Sequence, residues 1–550
     1  MGFYDASCSY FTNMPNFGLR FMAIGRIVTA DMVGYKQIFA GALLALASGC
    51  YSARSLDRYV EREVERVAEQ SSGISREVVV DSVRELSSEF GTDAAMLDLD
   101  RDRVLAVAAV SSRTLQTRRE DLYRAGLNLF GTRRDFGPNV SGVLEYVYAA
   151  PENSTERQTL FASLAAEQIL PTGGRIRAAG SQTVAREDRE ADGNDRFSGR
   201  ASLRLDQPLL SGAGRSSSHE PLIQAERDYV YALRRFTLER QDFAINILRD
   251  YYNLLGQRNV VENTRTNHQQ FIFLRQRSEA LFQVNRAPAI DVLRSQQEEL
   301  SALNRLTTAE EAYRIQVGRF LVQLGLPADH PVSLADDIPV MRPVTLEEKE
   351  AVGMALENRL DVMTVRDQLE DARRKLAVAR QSYLPEINAF GIAEWDADDA
   401  TSLGDQSFDS SWQAGVRAEL PLDRRAERDA VRVAEINLAA AQRRWDEFQE
   451  TTALEVRDSY SQLRSLTVSV EIQLRNIEIA EKRAANALLQ FRNGRLSNRD
   501  VVEAANDLLG ARNSYISALA DYEIQRLTLL RQIGRLDVSR EGAIVEWATP

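Results

Sequence analysis

The chain has 550 residues, of which 44% are hydrophobic and 27% charged, a balance typical of folded proteins and a length sufficient for several domains. Its formal net charge of −12 argues against nucleic acid as the main partner, because phosphate binding requires a basic surface. The three histidines lie far apart, the two cysteines have no metal-ligand spacing, and there is no nucleophile elbow or phosphate-binding loop. The sequence therefore predicts no metal, no cofactor and no enzymatic activity.

Residues 1–49 are predicted to contain a signal peptide. The apolar run 38–47 follows Lys36 and is too short to span a bilayer as a helix, but it has the size and flanks of a signal-peptide core. A start at Met32 would give a compact signal peptide, in which case residues 1–31 are an extension.

The apolar run is followed by a candidate lipidation site at Cys50. The sequence Leu-Ala-Ser-Gly-Cys, which ends at this residue, resembles a bacterial lipobox and would begin a linker over residues 50–97. Ala47 stands where that motif prefers Leu, Val or Ile. An ordinary cleaved signal peptide with a chance cysteine is the alternative.

Two long segments are each predicted to be one continuous helix. Residues 219–284 have apolar side chains at helical spacing, and residues 426–492 contain neither proline nor glycine. At about 1.5 Å per residue each would be about 100 Å long, which favours a coiled coil or a helical tube. Thr345 and Glu348 form a predicted capping box at one shorter helix. The shorter helices are predicted at residues 98–130, 290–324, 345–383 and 498–533.

The two halves of the chain resemble each other. Residues 249–252 match residues 457–460 at an offset of 208, and residues 290–293 match residues 499–502 at an offset of 209. The sequence therefore predicts two repeats with a connector and a tail. These are repeat one at 98–330, the connector at 331–344, repeat two at 345–537 and the C-terminal tail at 538–550.

Each repeat is predicted to contain two strands between its helices. The offset between matching prolines falls from 247 at Pro138 to 213 at Pro208, so repeat one carries 34 extra residues. The turn signal Leu-Pro-Thr-Gly-Gly at 170–174 predicts that these extra residues form a β-hairpin at 158–188. The other strands are predicted at 136–149 and 197–208 in repeat one and at 386–395 and 411–421 in repeat two.

The strands that end at Pro208 and Pro421 alternate between polar and apolar residues. Arg200 and Arg204 share one face in repeat one, and Arg417 and Glu419 share one face in repeat two, whereas the opposite faces are small or apolar. This pattern fits a membrane strand around a wet lumen, which these four side chains would line. It fits a half-buried sheet of a soluble protein equally well.

Three local motifs, together with the duplicated helix–strand–strand–helix–turn–helix order, resemble the TolC-like outer-membrane efflux family. They are ARQSYLPEI at 379–387, LDQPLLSGAGR at 205–215 and LLQFRNGRLSNRDVVEA at 488–504. The resemblance covers nearly all of the chain after the signal peptide and implies a mainly α protein with membrane β-structure. In that family, four strands per protomer of a homotrimer close one outer-membrane β-barrel, and four helical columns per protomer close a periplasmic tube. The extra hairpin departs from this pattern, and it would either widen the barrel or decorate its outer mouth.

The resemblance implies an exit duct of a tripartite efflux or type I secretion system. Such a duct takes substrates from an inner-membrane pump and a periplasmic adaptor to the cell exterior. It would lie in the lipid of the outer membrane, extend into the periplasm and be lipid-anchored at its N-terminus. The alternative is a non-pore periplasmic coiled-coil adaptor or scaffold lipoprotein, which the duplication and the paired strands disfavour.

The resemblance also assigns the turns of the two helical hairpins, at 285–290 and 492–498, to adaptor docking. Simple hairpin turns are the alternative. The candidate docking residues are Arg286, Ala287, Pro288, Asn493, Gly494, Arg495, Leu496 and Ser497.

Asp500 and Glu503 match by position the two inward carboxylates that narrow the periplasmic entrance in this family, although Glu503 stands where Asp is more usual. Three residues apart, they share a helix face, and a trimer would make of them a negative ring that favours cations. A solvated helix surface is the alternative.

Overall fold

The structure is a computed structural model that describes residues 97–150, 156–187, 196–285, 288–335, 339–400, 408–420, 422–493, 495–539 and 542–546. All of them belong to one compact unit over residues 65–550. The predicted signal peptide, Cys50 and all but the last residue of the linker lie outside the described residues, as do Arg286, Ala287 and Gly494. In the part of the chain that the structure describes, no helix is both long and apolar enough to cross a membrane.

Repeat one has four strands between its first and its long helix. In chain order the elements are β1 (Leu97–Leu99), α1 (Arg101–Ser111), α2 (Arg113–Asp135), β2 (Asn139–Ala149), β3 (Arg157–Ile169), β4 (Arg175–Glu187), β5 (Arg196–Pro208), α3 (Arg215–Ser218), α4 (Glu220–Gln283), α5 (Ala289–Leu324) and β6 (Val332–Leu334).

Repeat two has the same order with two strands. Its elements are α6 (Glu348–Asn358), α7 (Leu360–Ser382), β7 (Glu386–Ala400), β8 (Phe408–Glu419), α8 (Arg425–Arg492), α9 (Asn498–Gln532), β9 (Leu536–Val538) and β10 (Ile544–Glu546). The uninterrupted α4 and α8 have 64 and 68 residues, which follows from the absence of proline beyond their first turns.

The first helix of each repeat is broken, where the sequence predicts one continuous helix. Ser112 separates α1 from α2 with φ −67° and ψ 123°, and Arg359 separates α6 from α7 with φ −71° and ψ 124°. Gly325 at the end of α5 lies against Ser111, with φ 88°. Gly534 after α9 lies against Asn358, with φ 71°. The breaks make room for these helix ends, a long-range contact that local sequence patterns do not report.

Two further details correct the sequence predictions. The capping box at the start of α6 is formed by Glu347 and Glu350, and not by Thr345 and Glu348, because the helix begins three residues later than predicted. In addition, β9 and β10 pair as an antiparallel hairpin that crosses the predicted boundary between repeat two and the tail at residue 537.

The helices pack side by side in a row. Next to the hairpin turns α5 packs against α4, α4 against α9 and α9 against α8. Next to the strands, α2 and α7 take the places of α5 and α9 beside the long helices. The main apolar core lies where these shorter helices meet, and it buries Ile247 and Leu254 of α4 together with Leu527 and Ile533 around α9.

The longer strands form one six-stranded sheet in the order β2-β3-β4-β5-β7-β8. Every neighbouring pair is antiparallel. The two family-like motifs at the sheet lie at its junctions with the helices, where Leu209 N–H donates to Ile387 O at 2.8 Å. The strand pair β3–β4 occupies the segment in which the sequence predicts the extra hairpin.

Candidate pore-lining face and helical tips

The four candidate lumen residues lie on one face of the sheet. The register pairs Arg200 with Asp396 and Arg204 with Ile392, and it pairs Arg417 with Asn388. Because side chains alternate along a strand, these positions and Glu419 all point to the same side. We call this side the charged face.

Charges on this face are paired within the sheet. Arg200 Nε lies 2.5 Å from Asp396 Oδ1 on the neighbouring strand. Arg204 reaches both carboxylate oxygens of Asp206 on its own strand, at 2.6 and 3.0 Å. The side chains of both ion pairs are exposed, so these pairs add little stability and leave a hydrated, charged surface.

The added hairpin extends the charged face with residues that sequence reasoning missed. Arg177 of β4 is opposite Arg204 on one side and Glu167 on the other, and Arg175 lies 3.8 Å from Glu167. The alternation of polar and apolar residues seen in β5, when extended into residues 175–187, would have placed these two arginines on the charged face. The candidate lumen surface is therefore wider than the four residues first assigned to it.

The opposite face of the sheet is apolar and exposed in the single chain, and we call it the apolar face. Trp412 is 83% exposed, and Tyr146 is 62% exposed. A contiguous apolar surface of this kind marks contact with lipid or with another protein. The exposed large side chains on it are Val140, Leu144, Tyr146, Tyr148, Leu164, Ile176, Leu203, Leu205, Trp395, Trp412 and Val416.

At the tip of repeat two, Ser497 begins α9 and forms a capping box with Asp500. The Asp500 carboxylate accepts the Ser497 backbone N–H at 3.0 Å and the Ser497 hydroxyl at 2.6 Å. These hydrogen bonds hold the pKa of Asp500 below its usual range, and the charge of Arg499 acts in the same direction. Asp500 therefore stabilises the first turn of α9, which is a structural task the sequence interpretation did not assign to it.

Glu503, the second candidate constriction residue, forms an ion pair across the hairpin. Its carboxylate lies 3.0 Å from Arg483 of α8, and Arg483 also bonds Asp507 one turn further along α9. Glu503 and Asp507 are both exposed. Sequence reasoning missed Arg483 and Asp507, although Asp507 continues the helix face of Asp500 and Glu503 at helical spacing.

The tip of repeat one is built differently. Pro288 occupies the start of α5 without a side-chain cap, and Asn285 before it has a left-handed backbone with φ 55°. Asp291, the counterpart of Asp500, pairs with Arg294 on its own helix at 3.6 Å. Of the docking candidates, Pro288, Asn493, Arg495, Leu496 and Ser497 are described, and they lie in or beside the two turns.

The two hairpins pack against each other close to their tips. Phe271 and Leu274 of repeat one share a small core with Phe491 and Val501 of repeat two. Arg277 stacks over the Phe491 ring at 4.8 Å and donates to the Arg492 carbonyl at 3.2 Å. Arg277 therefore links the tips of the two repeats, and no sequence motif indicated this role.

Within the described ranges, no group of three His, Cys, Asp or Glu side chains is placed to hold a metal ion. The arrangement offers instead a charged face, an apolar face and a row of helices that ends in two turns. These features suit passage and docking.

Comparison with known proteins shows what this arrangement is similar to. Residues 351–535 match the family model described as outer membrane efflux protein. Repeat two therefore resembles the outer membrane efflux protein family. The match covers most of repeat two, while a search of the curated proteins finds no match.

Solved channels share the fold over most of the chain. The CmeC outer membrane channel of Campylobacter jejuni is 12% identical with a TM-score of 0.59, covering 79% of this chain and 85% of that one. The outer membrane protein VceC of Vibrio cholerae is 14% identical with a TM-score of 0.60, covering 79% and 96%. The open-state MtrE outer membrane channel of Neisseria gonorrhoeae is 14% identical with a TM-score of 0.54, covering 79% and 88%. At such identities the similarity establishes the fold alone, which this chain shares with the solved channels over 79% of its length.

Proposed function

We propose that this chain is one protomer of a homotrimeric exit duct in the outer membrane. The duct would serve a tripartite efflux or type I secretion system, and it would receive substrates from an inner-membrane pump through a periplasmic adaptor. The observation that carries the proposal is the sheet: it has two open edges, one charged face and one exposed apolar face.

An open sheet of this kind is not a stable membrane structure by itself. Among the residues that the structure describes, the outer edges of strands β2 and β8 have no neighbouring strand, and lipid cannot satisfy their backbone hydrogen-bonding groups. Closure with further copies removes both edges, turns the apolar face toward lipid and encloses the charged face around water.

The helices support the same assembly. α5 and α8 lie at the two ends of the packed row and expose apolar side chains, such as Leu293 and Leu300 on α5 and Ile472 and Ile479 on α8. Each of these pairs is seven residues apart, the repeat of a coiled-coil seam. A neighbouring copy would cover these rows and close a tube.

In this assembly the tips form the periplasmic entrance. Glu503 and Asp500 would contribute to a negative constriction, with Asp500 also holding the first turn of α9. The turns around Pro288 and around Asn493 to Ser497 would dock the adaptor, and Pro288, Asn493, Arg495 and Ser497 are exposed. Arg200, Arg204, Arg417 and Glu419 would line the lumen of the barrel. The duct would perform no covalent chemistry, and Cys50, outside the described residues, would carry the lipid anchor.

Single-channel recording of the purified protein in planar bilayers tests the proposal. We expect trimers to give a small cation-selective conductance, and the double variant Asp500→Ala/Glu503→Ala to raise the conductance or to lose selectivity. The control variant Asp291→Ala, at the repeat-one tip, should leave both unchanged.

Folded trimers without conductance would contradict the duct and favour the non-pore scaffold lipoprotein, which the family match and the channel folds do not support. Pores that are unaffected by the double variant would keep the duct but contradict the carboxylate constriction.

A further inference from the structure

The extra hairpin is a full part of the sheet. β3 pairs with β2 over 11 residue pairs and β4 pairs with β5 over 11 residue pairs, so the hairpin separates two strands that the four-strand pattern would place side by side. A hairpin that decorated the outer mouth would leave β2 paired with β5.

The turn of this hairpin is anchored at the junction between sheet and helices. The Gly214 N–H donates to Thr172 O at 2.8 Å, and the Gln207 side chain donates to the same carbonyl at 3.1 Å. Gly173 has φ 89°, and a Cβ there would overlap the Gly212 carbonyl. A close fit at the base, combined with full-length pairing on both sides, fixes the hairpin in the plane of the sheet.

The even number of strands in each copy allows neighbouring copies to close into a barrel. Successive strands are antiparallel, and six is an even number, so β8 of one copy runs antiparallel to β2 of the next. Both edge strands are long, with 11 residues in β2 and 12 in β8, enough to cross the apolar layer of an outer membrane.

We infer that three copies close an 18-stranded barrel through β2–β8 pairing, in which the extra hairpin of each copy forms part of the wall. This inference rests on the proposed trimeric duct. Barrel diameter grows roughly in proportion to strand number, so this barrel would be about one and a half times as wide as a twelve-stranded one. Barrels of about 16–18 strands enclose an open aqueous channel. The outer-membrane section would therefore admit bulky hydrated cargo, and the narrowest point of the duct would lie at the helical entrance.

A row of four small residues across four strands provides the test. Ser141 of β2 is opposite Ala165 of β3, Ala165 is opposite Ala179 of β4, and Ala179 is opposite Ser202 of β5. Directly opposite residues have Cα atoms about 4.5–5.5 Å apart, within the range of a disulfide. Ser141 and Ser202 are separated by three strand spacings, roughly 14 Å, which a disulfide cannot bridge.

Cysteine pairs are introduced into the full chain, oxidised in the membrane-embedded protein, and read out as intrachain disulfides. The hairpin pair Ala165→Cys/Ala179→Cys is the positive control, and the parent chain, with its own Cys8 and Cys50, is the background. We expect Ser141→Cys/Ala165→Cys and Ala179→Cys/Ser202→Cys to cross-link nearly as fully as the control in trimers, and Ser141→Cys/Ser202→Cys to remain reduced.

A cross-link between Ser141→Cys and Ser202→Cys in conducting trimers would overturn the 18-stranded barrel and leave the proposed duct intact. In-plane cross-links in a chain that stays monomeric and does not conduct would overturn both.

Discussion

In both repeats, the end of the last helix packs against a break in the first helix. In repeat one, Gly325 turns the chain with a left-handed backbone against the break beside Ser111. In repeat two, Gly534 does the same against Asn358. The backbone angles of the two breaks agree within a few degrees. The two repeats therefore share one packing arrangement at this contact.

The repeats differ where this contact does not constrain them. Repeat one contributes four strands to the sheet and repeat two contributes two. The tip of repeat two has a capping box and an ion-paired carboxylate row, whereas that of repeat one has a proline and an Asn with positive φ. The helical scaffold is therefore common to both repeats, and the differences lie in the sheet and at the helical tips, which the proposed duct would place against lipid and against partner proteins.

The largest predicted effect comes from adding a methyl group at the glycine that contacts the helix break in each repeat. We expect Gly325→Ala and Gly534→Ala each to lower the free energy of unfolding in detergent by about 2–4 kcal/mol, because each adds a Cβ at positive φ and overlaps the opposing helix break. The control Gly256→Ala lies inside α4 with open space around it and should be neutral or stabilising by up to about 1 kcal/mol. Equal effects of all three substitutions would show that the two breaks are not packing contacts.

The next largest loss of stability is expected at the turn of the extra hairpin. This hairpin belongs to repeat one and has no counterpart in repeat two. Gly173→Ala should lower the thermal stability of the sheet, at a cost of about 1–3 kcal/mol, because the added methyl overlaps the Gly212 carbonyl at the junction. Gly180→Ala, in β4 with no neighbouring atom in reach, is the matched control. A Gly173 variant as stable as the control would mean that the turn is not anchored.

The two tips are expected to respond differently to acid. The depressed pKa of Asp500 means that its ionised form stabilises the capped helix start; this contribution is present above about pH 4 and is lost as the pH falls through the lowered pKa. Hydrogen exchange should show a several-fold loss of protection in the first turn of α9 in acid, and in Asp500→Asn at neutral pH. The start of α5, which has no capping box, should change little with acid or with Asp291→Asn. Similar losses at both tips would contradict this assignment.

The smallest predicted effect tests whether the carboxylates of Glu503 and Asp507 act on passing ions. Arg483→Gln frees Glu503 and Asp507 from their shared cation, so we expect the preference for cations to rise by about two- to fivefold, as one unit charge per copy suggests. Glu503→Gln should lower that preference. Arg314→Gln, which removes an exposed paired arginine from α5, controls for charge loss alone. Reversal potentials in a salt gradient measure the preference for cations over anions. An unchanged reversal potential in Arg483→Gln would exclude Glu503 and Asp507 from the ion path.

Sequence patterns predicted the long helices, the duplication and the extra hairpin because each depends on local periodicity or on proline and glycine. The long helices and the paired strands lie close to the predicted segments. The breaks at Ser112 and Arg359 were not predictable, since they exist to receive a helix end more than 170 residues away. The same limit applies to the site: alternation identified Arg200 and its neighbours, whereas the Arg483 ion pairs and the Arg277 stack depend on tertiary packing.

The most direct test of the account is to ask whether the two faces of the sheet meet water and lipid, respectively. Ala201 and Ser202 are adjacent in β5 and lie on the apolar and the charged face. In membranes containing the trimer, we expect a charged, water-soluble thiol reagent to label Ser202→Cys and not Ala201→Cys, and a lipid-soluble reagent to label Ala201→Cys. Equal labelling of both cysteines by the charged reagent would mean that water reaches both faces, and the sheet would then not be the wall of a membrane pore.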